Sequence, residues 1–189
     1  MTPYQRHKKK WSKCELCNLC GSRNKVVLAK GVLPCDILFI GEAPGASEDV
    51  VGSPFVGPAG RLLDVIVEEA QADTYRLAFT NLISCIPKED GEITVERGGW
   101  HYSKIGEPKE EWILACAPRL REFVRICTPK LIVCVGELSN EWTPKVLKSR
   151  KYVYESIIHP AAILRMDISQ KGLAIQRTIT RLVDAVESL

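Results

Sequence analysis

Cys14, Cys17 and Cys20 form a C-x-x-C-x-x-C run inside a polar, Lys-rich stretch. Two thiolates at this spacing can reach one metal centre from a single turn. Cys85 and Cys116 follow, the first at the end of an apolar run and the second inside a helical pattern. Zinc and iron–sulfur centres both accept such ligands, and spacing alone does not separate them. Cys35, Cys127 and Cys134 sit in apolar surroundings, where a free cysteine behaves as a small hydrophobic residue. Polar segments stand where apolar runs stop, among them Gly41-Glu42-Ala43-Pro44-Gly45 and the stretch that opens with His159-Pro160.

These residues need a scaffold, and the hydrophobic pattern supplies one. Asp36-Ile37-Leu38-Phe39-Ile40 runs into Gly and Pro, which reads as a buried strand entering a loop. Leu62, Leu63, Ile66, Val67 and Ala70 recur at helical spacing over 59–72. A second strand is expected over 77–83, an amphipathic helix over 110–127 and a third strand over 131–135. A short helix over 137–147, a fourth strand over 152–158 and a last helix over 172–189 complete the reading. Residues 88–108 are polar and Gly-rich and read as a long loop. Strands alternating with helices imply an α/β fold: a three-layer α/β/α arrangement around a central four-stranded, mainly parallel sheet. Ligands on such sheets bind beyond the carboxyl ends of the strands. Three polar segments fall there: 41–55, the residues after Ile83, and His159 onward.

The bulk numbers are compatible with this scaffold. The chain has 189 residues, 46% hydrophobic and 26% charged, with a net charge of +3, which suits one globular domain and permits a nucleic-acid partner without demanding one. No apolar run reaches the length needed to span a bilayer. No apolar signal segment opens the chain, so no membrane partner and a cytoplasmic location are expected. Eight cysteines in a reducing compartment argue against a disulfide framework. Residues 1–13, with Arg6, His7, Lys8, Lys9, Lys10 and Lys13, read as a basic tail that is either simply solvated or a phosphate-binding arm, and 14–189 as the single domain.

The segment from Gly41-Glu42-Ala43-Pro44-Gly45 through Glu48-Asp49 to Gly52-Ser53-Pro54-Phe55-Val56-Gly57-Pro58-Ala59-Gly60-Arg61-Leu62-Leu63 resembles the first motif of the family 4, iron–sulfur, uracil-DNA glycosylases. Thr80-Asn81-Leu82-Ile83-Ser84-Cys85, Cys116-Ala117-Pro118-Arg119-Leu120 and His159-Pro160-Ala161-Ala162-Ile163-Leu164-Arg165 resemble further family motifs in the same order. The resemblance implies a uracil-DNA glycosylase-like fold and a [4Fe–4S] cluster held by Cys14, Cys17, Cys85 and Cys116, with Cys20 as a spare. It implies a monomer that acts on DNA containing uracil or a modified base and hydrolyses the glycosidic bond to leave an abasic site. Two departures flank the expected DNA groove. The stretch after Cys85 is longer than in the family and carries Trp100, His101 and Tyr102, and the loop before His159 is shorter. These keep two alternatives open: a glycosylase for another modified or deaminated base, and a non-catalytic iron–sulfur DNA-binding relative.

The resemblance also distributes roles. Phe55 matches the residue on which a flipped pyrimidine stacks, and Gly41 a second base-binding position. Asn81 matches the reading residue, and its amide can donate to uracil O4 and accept from N3–H. His159 matches the donor to uracil O2, and Arg165 a phosphate contact. Glu42 is the first choice to orient water and balance the sugar cation, ahead of Glu48 and Asp49, which could instead hold the loop or pair with a cation.

Overall fold

The computed structural model describes residues 1–88, 105–149 and 151–189 in full, and the backbone of 93–96 and 99–102. The sheet is built from β1 (Ala29–Gly31), β2 (Ile37–Gly41), β3 (Leu77–Asn81), β6 (Leu131–Val135) and β7 (Val153–Ile157), in the order β1-β3-β2-β6-β7. The last four pair in parallel, while β1 runs antiparallel along the edge of β3. The sheet therefore has five strands rather than the expected four. Ala29-Lys30-Gly31 is too short and too polar to show a strand period in sequence.

Alternation along the strands sorts the core onto two faces. Leu38, Ile40, Ala78, Ile132 and Cys134 point to one, where they pack with Ile113, Leu120 and Phe123 of α4 (Glu110–Cys127) and Val146 of α5 (Glu137–Leu147). Ile37, Phe39, Phe79, Leu131 and Val133 point to the other, against Leu63 and Ile66 of α3 (Pro58–Glu69) and Leu182 and Val186 of α7 (Ile168–Glu187). This is the three-layer α/β/α arrangement, and its central strands are apolar on both faces, as a covered parallel sheet requires. Among the described residues no helix is long and apolar enough to cross a membrane.

Residues 1–13 are not a tail. Pro3–Trp11 is a helix, α1, capped by the Thr2 side chain, which accepts from the Gln5 N–H. Tyr4, His7 and Trp11 share one face at helical spacing, and His7 and Trp11 are buried. The His7 ring lies 5.6 Å from that of Phe123 in α4, and its Nδ1 is 3.0 Å from the Glu122 carboxylate. The lysines occupy the outer side and hide this apolar face in a composition count.

Two six-residue helices escaped the sequence pattern: α2 (Ala46–Val51) and α6 (Pro160–Arg165). Neither is long enough to show a period. The long polar insertion, read as a loop, contains an antiparallel hairpin of β4 (Ile93–Glu96) and β5 (Gly99–Tyr102). The side chains of Trp100, His101 and Tyr102, noted beside the expected DNA groove, lie outside the described residues.

Candidate active site

The parallel register places the carboxyl ends of β2 and β3 side by side, with Gly41 opposite Asn81. A Cβ on Gly41 would overlap the Asn81 Oδ1 and stand 2.7 Å from the Phe55 Cζ. Gly41, Asn81 and Phe55 therefore meet, and only a residue without a side chain fits between the amide and the ring. Asn81 is buried, and no described residue hydrogen-bonds its side-chain amide. Phe55 adopts φ 53, a left-handed conformation that a bulky residue seldom takes. It is held there by Lys30, whose Nζ donates to the Phe55 carbonyl at 2.9 Å, and by an edge-on contact with the Phe79 ring at 5.9 Å.

A second glycine organises the other half of the cleft. Gly136 ends β6 at φ 98, and a Cβ there would overlap the Glu42 carboxylate and stand 3.1 Å from His159 Cδ2. Glu42 and His159 thus approach each other across Gly136. Burial raises the Glu42 pKa above the usual carboxylate range, and the Leu138 N–H in the first turn of α5 only partly offsets this. His159 caps α6, and its Nδ1 accepts from the Ala161 N–H at 3.1 Å. A ring nitrogen that accepts carries no proton, so the neutral ring must hold its proton on Nε2. Burial and the Arg165 charge pull the His159 pKa down to about 4, so the ring is neutral at neutral pH. Arg165 itself is exposed at the end of α6, near enough for its charge to bear on both His159 and Glu42.

The two alternative carboxylates are engaged elsewhere. Glu48 Oε1 accepts from the Val56 and Gly57 N–H groups at 2.9 and 2.7 Å, and Oε2 from the Gly45 N–H at 3.1 Å. It pins both ends of the loop that carries Phe55. Asp49 is fully buried, accepts from the Asn24 N–H and side-chain amide at 2.9 and 2.7 Å, and pairs with Lys88 at 3.4 Å. Of the two readings left open for these residues, orienting water or holding the loop and pairing with a cation, the contacts fit the second.

The cysteines gather in a separate place. Cys14, Cys17, Cys85 and Cys116 line one cavity, with Arg23, Ser84 and Arg119. Cys20 is exposed, and Cys35, Cys127 and Cys134 are buried away from that lining. Three independent segments deliver the four thiols: the turn after α1, the stretch after β3, and α4. The Trp112 indole N–H donates to Asn18 Oδ1 at 2.8 Å and ties the first segment to α4. Arg23 Nη2 donates to the Cys14 carbonyl at 2.6 Å and Nη1 lies 3.6 Å from the Cys85 sulfur. Trp11 Nε1, Ser84 Oγ and Arg119 Nε line this cavity too, buried and with no hydrogen-bond partner among the described residues, although such groups are nearly always paired in native structures. Among the described residues no three His, Cys, Asp or Glu side chains converge closely enough to grip a single metal ion. The donor set is thus four thiols spread around a space, with the Arg23 and Arg119 cations and the unpaired Trp11 Nε1 and Ser84 Oγ beside them.

The sequence reading missed Gly136, Leu138 and Arg119 as site-building residues. Arg119 carried a signal, as a charged residue three positions after Cys116 on the buried face of α4.

The family model of the uracil DNA glycosylase superfamily matches residues 30–182. The chain is 33% identical to the type-4 uracil-DNA glycosylase of Saccharolobus solfataricus, over 73% of this chain and 57% of that protein. It is 33% identical to the type-4 uracil-DNA glycosylase of Sulfurisphaera tokodaii, over 68% and 52%. With that of Pyrobaculum aerophilum it shares 29% identity over 80% of each chain. The chain spans little more than half the length of the first two relatives. With a match that runs from β2 through α6 and takes in the whole cleft, the chain belongs to the uracil DNA glycosylase superfamily.

Proposed function

We propose that the protein hydrolyses the N-glycosidic bond of uracil in DNA and leaves an abasic site. One observation carries this reading: Phe55 with Asn81 across Gly41, and Glu42 with His159 across Gly136, present a stacking face, a base-reading amide, a carboxylate and a proton-bearing imidazole at one sheet end. A flipped uracil stacks on Phe55. The Asn81 NH₂ donates to O4 and its Oδ1 accepts from N3–H. Cytosine reverses that edge and would leave buried donors unpaired, at about 1–3 kcal/mol each. As the C1′–N1 bond breaks, its electron pair moves onto the base, and His159 Nε2–H donates to the growing charge on O2. Glu42 faces the cationic sugar and orients the water whose oxygen bonds to C1′. The water proton passes to Glu42 or to solvent, and the base leaves as an anion that is later protonated. Arg165 holds a flanking phosphate and fixes register without reading sequence.

Cys14, Cys17, Cys85 and Cys116 are read as ligands of a [4Fe–4S] cluster. Four thiols from separate segments around one cavity, in the order of the family's motifs, support this reading. Such a group supplies no step of the hydrolysis. It staples α1, the end of β3 and α4 together.

The test incubates purified protein with an oligonucleotide bearing one uracil and then cleaves abasic sites with alkali. Strand scission at the uracil, with none at cytosine, supports the reading. Scission only at another modified base in a parallel panel would assign the site to that base, and no scission on any would leave a binding relative.

A further inference from the structure

Arg119 is 2% exposed, and its side chain spans the space between the two sites. Nη1 donates to Thr80 Oγ1 at 2.9 Å, and Nη2 donates to the carbonyls of Asn81 and Leu82 at 2.6 and 2.8 Å. Thr80 Oγ1 passes the bond on to the Leu28 carbonyl at 2.7 Å. At its other edge Arg119 lines the cysteine cavity, and Nε there has no partner. A buried cation without a counter-charge is unfavourable by several kcal/mol. Among the described residues no carboxylate pairs with it. The acidic groups beside it are the thiols of Cys116, Cys85 and Cys14, which share the cavity lining and would favour its charge once ionised.

The β3 end is held on its other side too. The Leu82 N–H donates to the Gly41 carbonyl at 2.8 Å and the Ile83 N–H to the Glu42 carbonyl at 3.2 Å. Arg119 therefore grips the backbone of the same residue whose side chain faces the cleft, from the side opposite β2.

We propose that Arg119 is a positioning residue: it ties the Asn81 end of β3 to the four-cysteine cavity, with the thiolates of that cavity as its counter-charge. The inference rests on the reading of those cysteines as cluster ligands and of Asn81 as the base reader. Two properties follow. Its charge raises the reduction potential of a group held by the thiolates, because a nearby cation favours the added electron. Its three-acceptor bridge fixes the Asn81 backbone, and so acts on base binding more than on the bond-breaking step.

The test compares holo-protein with Arg119→Lys and Arg119→Gln, each purified without air and checked for iron content. Two quantities are read: the midpoint potential by voltammetry, and KM against kcat on uracil-containing DNA. Arg119→Lys keeps the charge without the planar fork. It is expected to hold the wild-type potential and to raise KM several-fold with kcat nearly unchanged. Arg119→Gln removes the charge and is expected to lower the potential and raise KM as well. An unchanged potential in Arg119→Gln, or an unchanged KM in both variants, overturns the proposal. The potential does not depend on the substrate, so a wild-type protein that ignores uracil would sink the functional reading while this measurement still reported on Arg119.

Discussion

The cleft and the cysteine cavity lie at the two ends of one short stretch, Asn81 to Cys85, yet they are built on opposite terms. In the cleft the groups that hold the loops are satisfied by protein. Glu48 has three backbone N–H donors, Asp49 has Asn24 and Lys88, and His159 Nδ1 has Ala161. Among the described residues none hydrogen-bonds the Asn81 amide or His159 Nε2, the groups a base would need on the proposed reading. In the cavity the groups without a partner among the described residues, Trp11 Nε1, Ser84 Oγ and Arg119 Nε, are buried beside thiols. The cleft is preorganised by the polypeptide alone, which is how a site gains most from electrostatics. On the proposed reading the cavity is completed by a cluster whose thiolate ligands supply the negative charge beside Arg119. Stability should therefore depend on the second region and rate on the first.

The largest effect expected from that division comes at the cavity. Cys116→Ser should remove the iron and the brown colour and destabilise the fold by at least about 3 kcal/mol, since Arg119 is left buried without its counter-charge. Cys20→Ser, at an exposed position outside the lining, should change stability by less than about 0.5 kcal/mol and keep the colour. Metal analysis, visible absorption and thermal denaturation read all three. Stoichiometric zinc without iron would collapse the contrast between the two regions.

In the cleft the expected losses are of rate, not of fold. Asn81→Ala should lower kcat/KM on uracil-containing DNA about 10- to 100-fold, the equivalent of one or two lost hydrogen bonds, and gain no other base. Asn81→Asp should lose a similar factor on uracil and gain weak cytosine excision, because an oxygen replaces the NH₂ that would face the cytosine amine. Both should keep the colour and the melting temperature of the parent. If both cut uracil at the parent rate, Asn81 does not read the base.

A smaller effect probes the boundary between holding and reacting. Glu48→Gln retains one acceptor oxygen where the carboxylate serves three N–H groups with two. It should reduce stability by about 1–2 kcal/mol and raise KM through a looser Phe55 loop, with kcat nearly unchanged. A fall in kcat with KM unchanged would instead move Glu48 into the reaction and displace Glu42.

How much of this was legible follows from element length. Leu131 to Val135 is an unbroken apolar run closed by Gly136, and α3, α4 and α7 are long enough to show a helical period, so the layers could be read. β1, α2 and α6 have three, six and six residues, below the length at which any period emerges. α1 was hidden differently: Tyr4, His7 and Trp11 keep a helical spacing, but Lys8, Lys9 and Lys10 dominate the composition. In the site, the resemblance to known motifs singled out Glu42, Asn81 and His159. The separate duties of Glu42, Glu48 and Asp49 could not be read, because three nearby carboxylates look alike until the loop geometry sends each to a different set of donors. Arg119 needed the tertiary packing of α4 against the end of β3.

The smallest and most specific effect is in the pH profile. Two groups of the cleft titrate away from their ordinary values, in opposite senses for charge. Burial raises Glu42 above 4.5, and burial with the Arg165 charge brings His159 down to about 4. The water-orienting role needs the Glu42 carboxylate, and the donor role needs the neutral His159 ring. As pH falls from neutrality, Glu42 takes its proton first, while His159 stays neutral until about pH 4. The acid limb of kcat/KM should therefore belong to Glu42 and lie above the ordinary carboxylate value. His159→Gln should lower the rate and leave that limb in place, whereas Glu42→Gln should lower the rate and flatten it. Stability carries the complementary sign. Between pH 6.5 and 4 the unfolded chain binds a proton at His159 that the folded protein refuses, so this residue lowers stability progressively as pH falls through that window. His159→Gln should remove that part of the acid sensitivity in urea titrations at pH 7 and pH 5. A limb that moves with His159→Gln and not with Glu42→Gln would assign the titrating group to the imidazole and reverse the two roles.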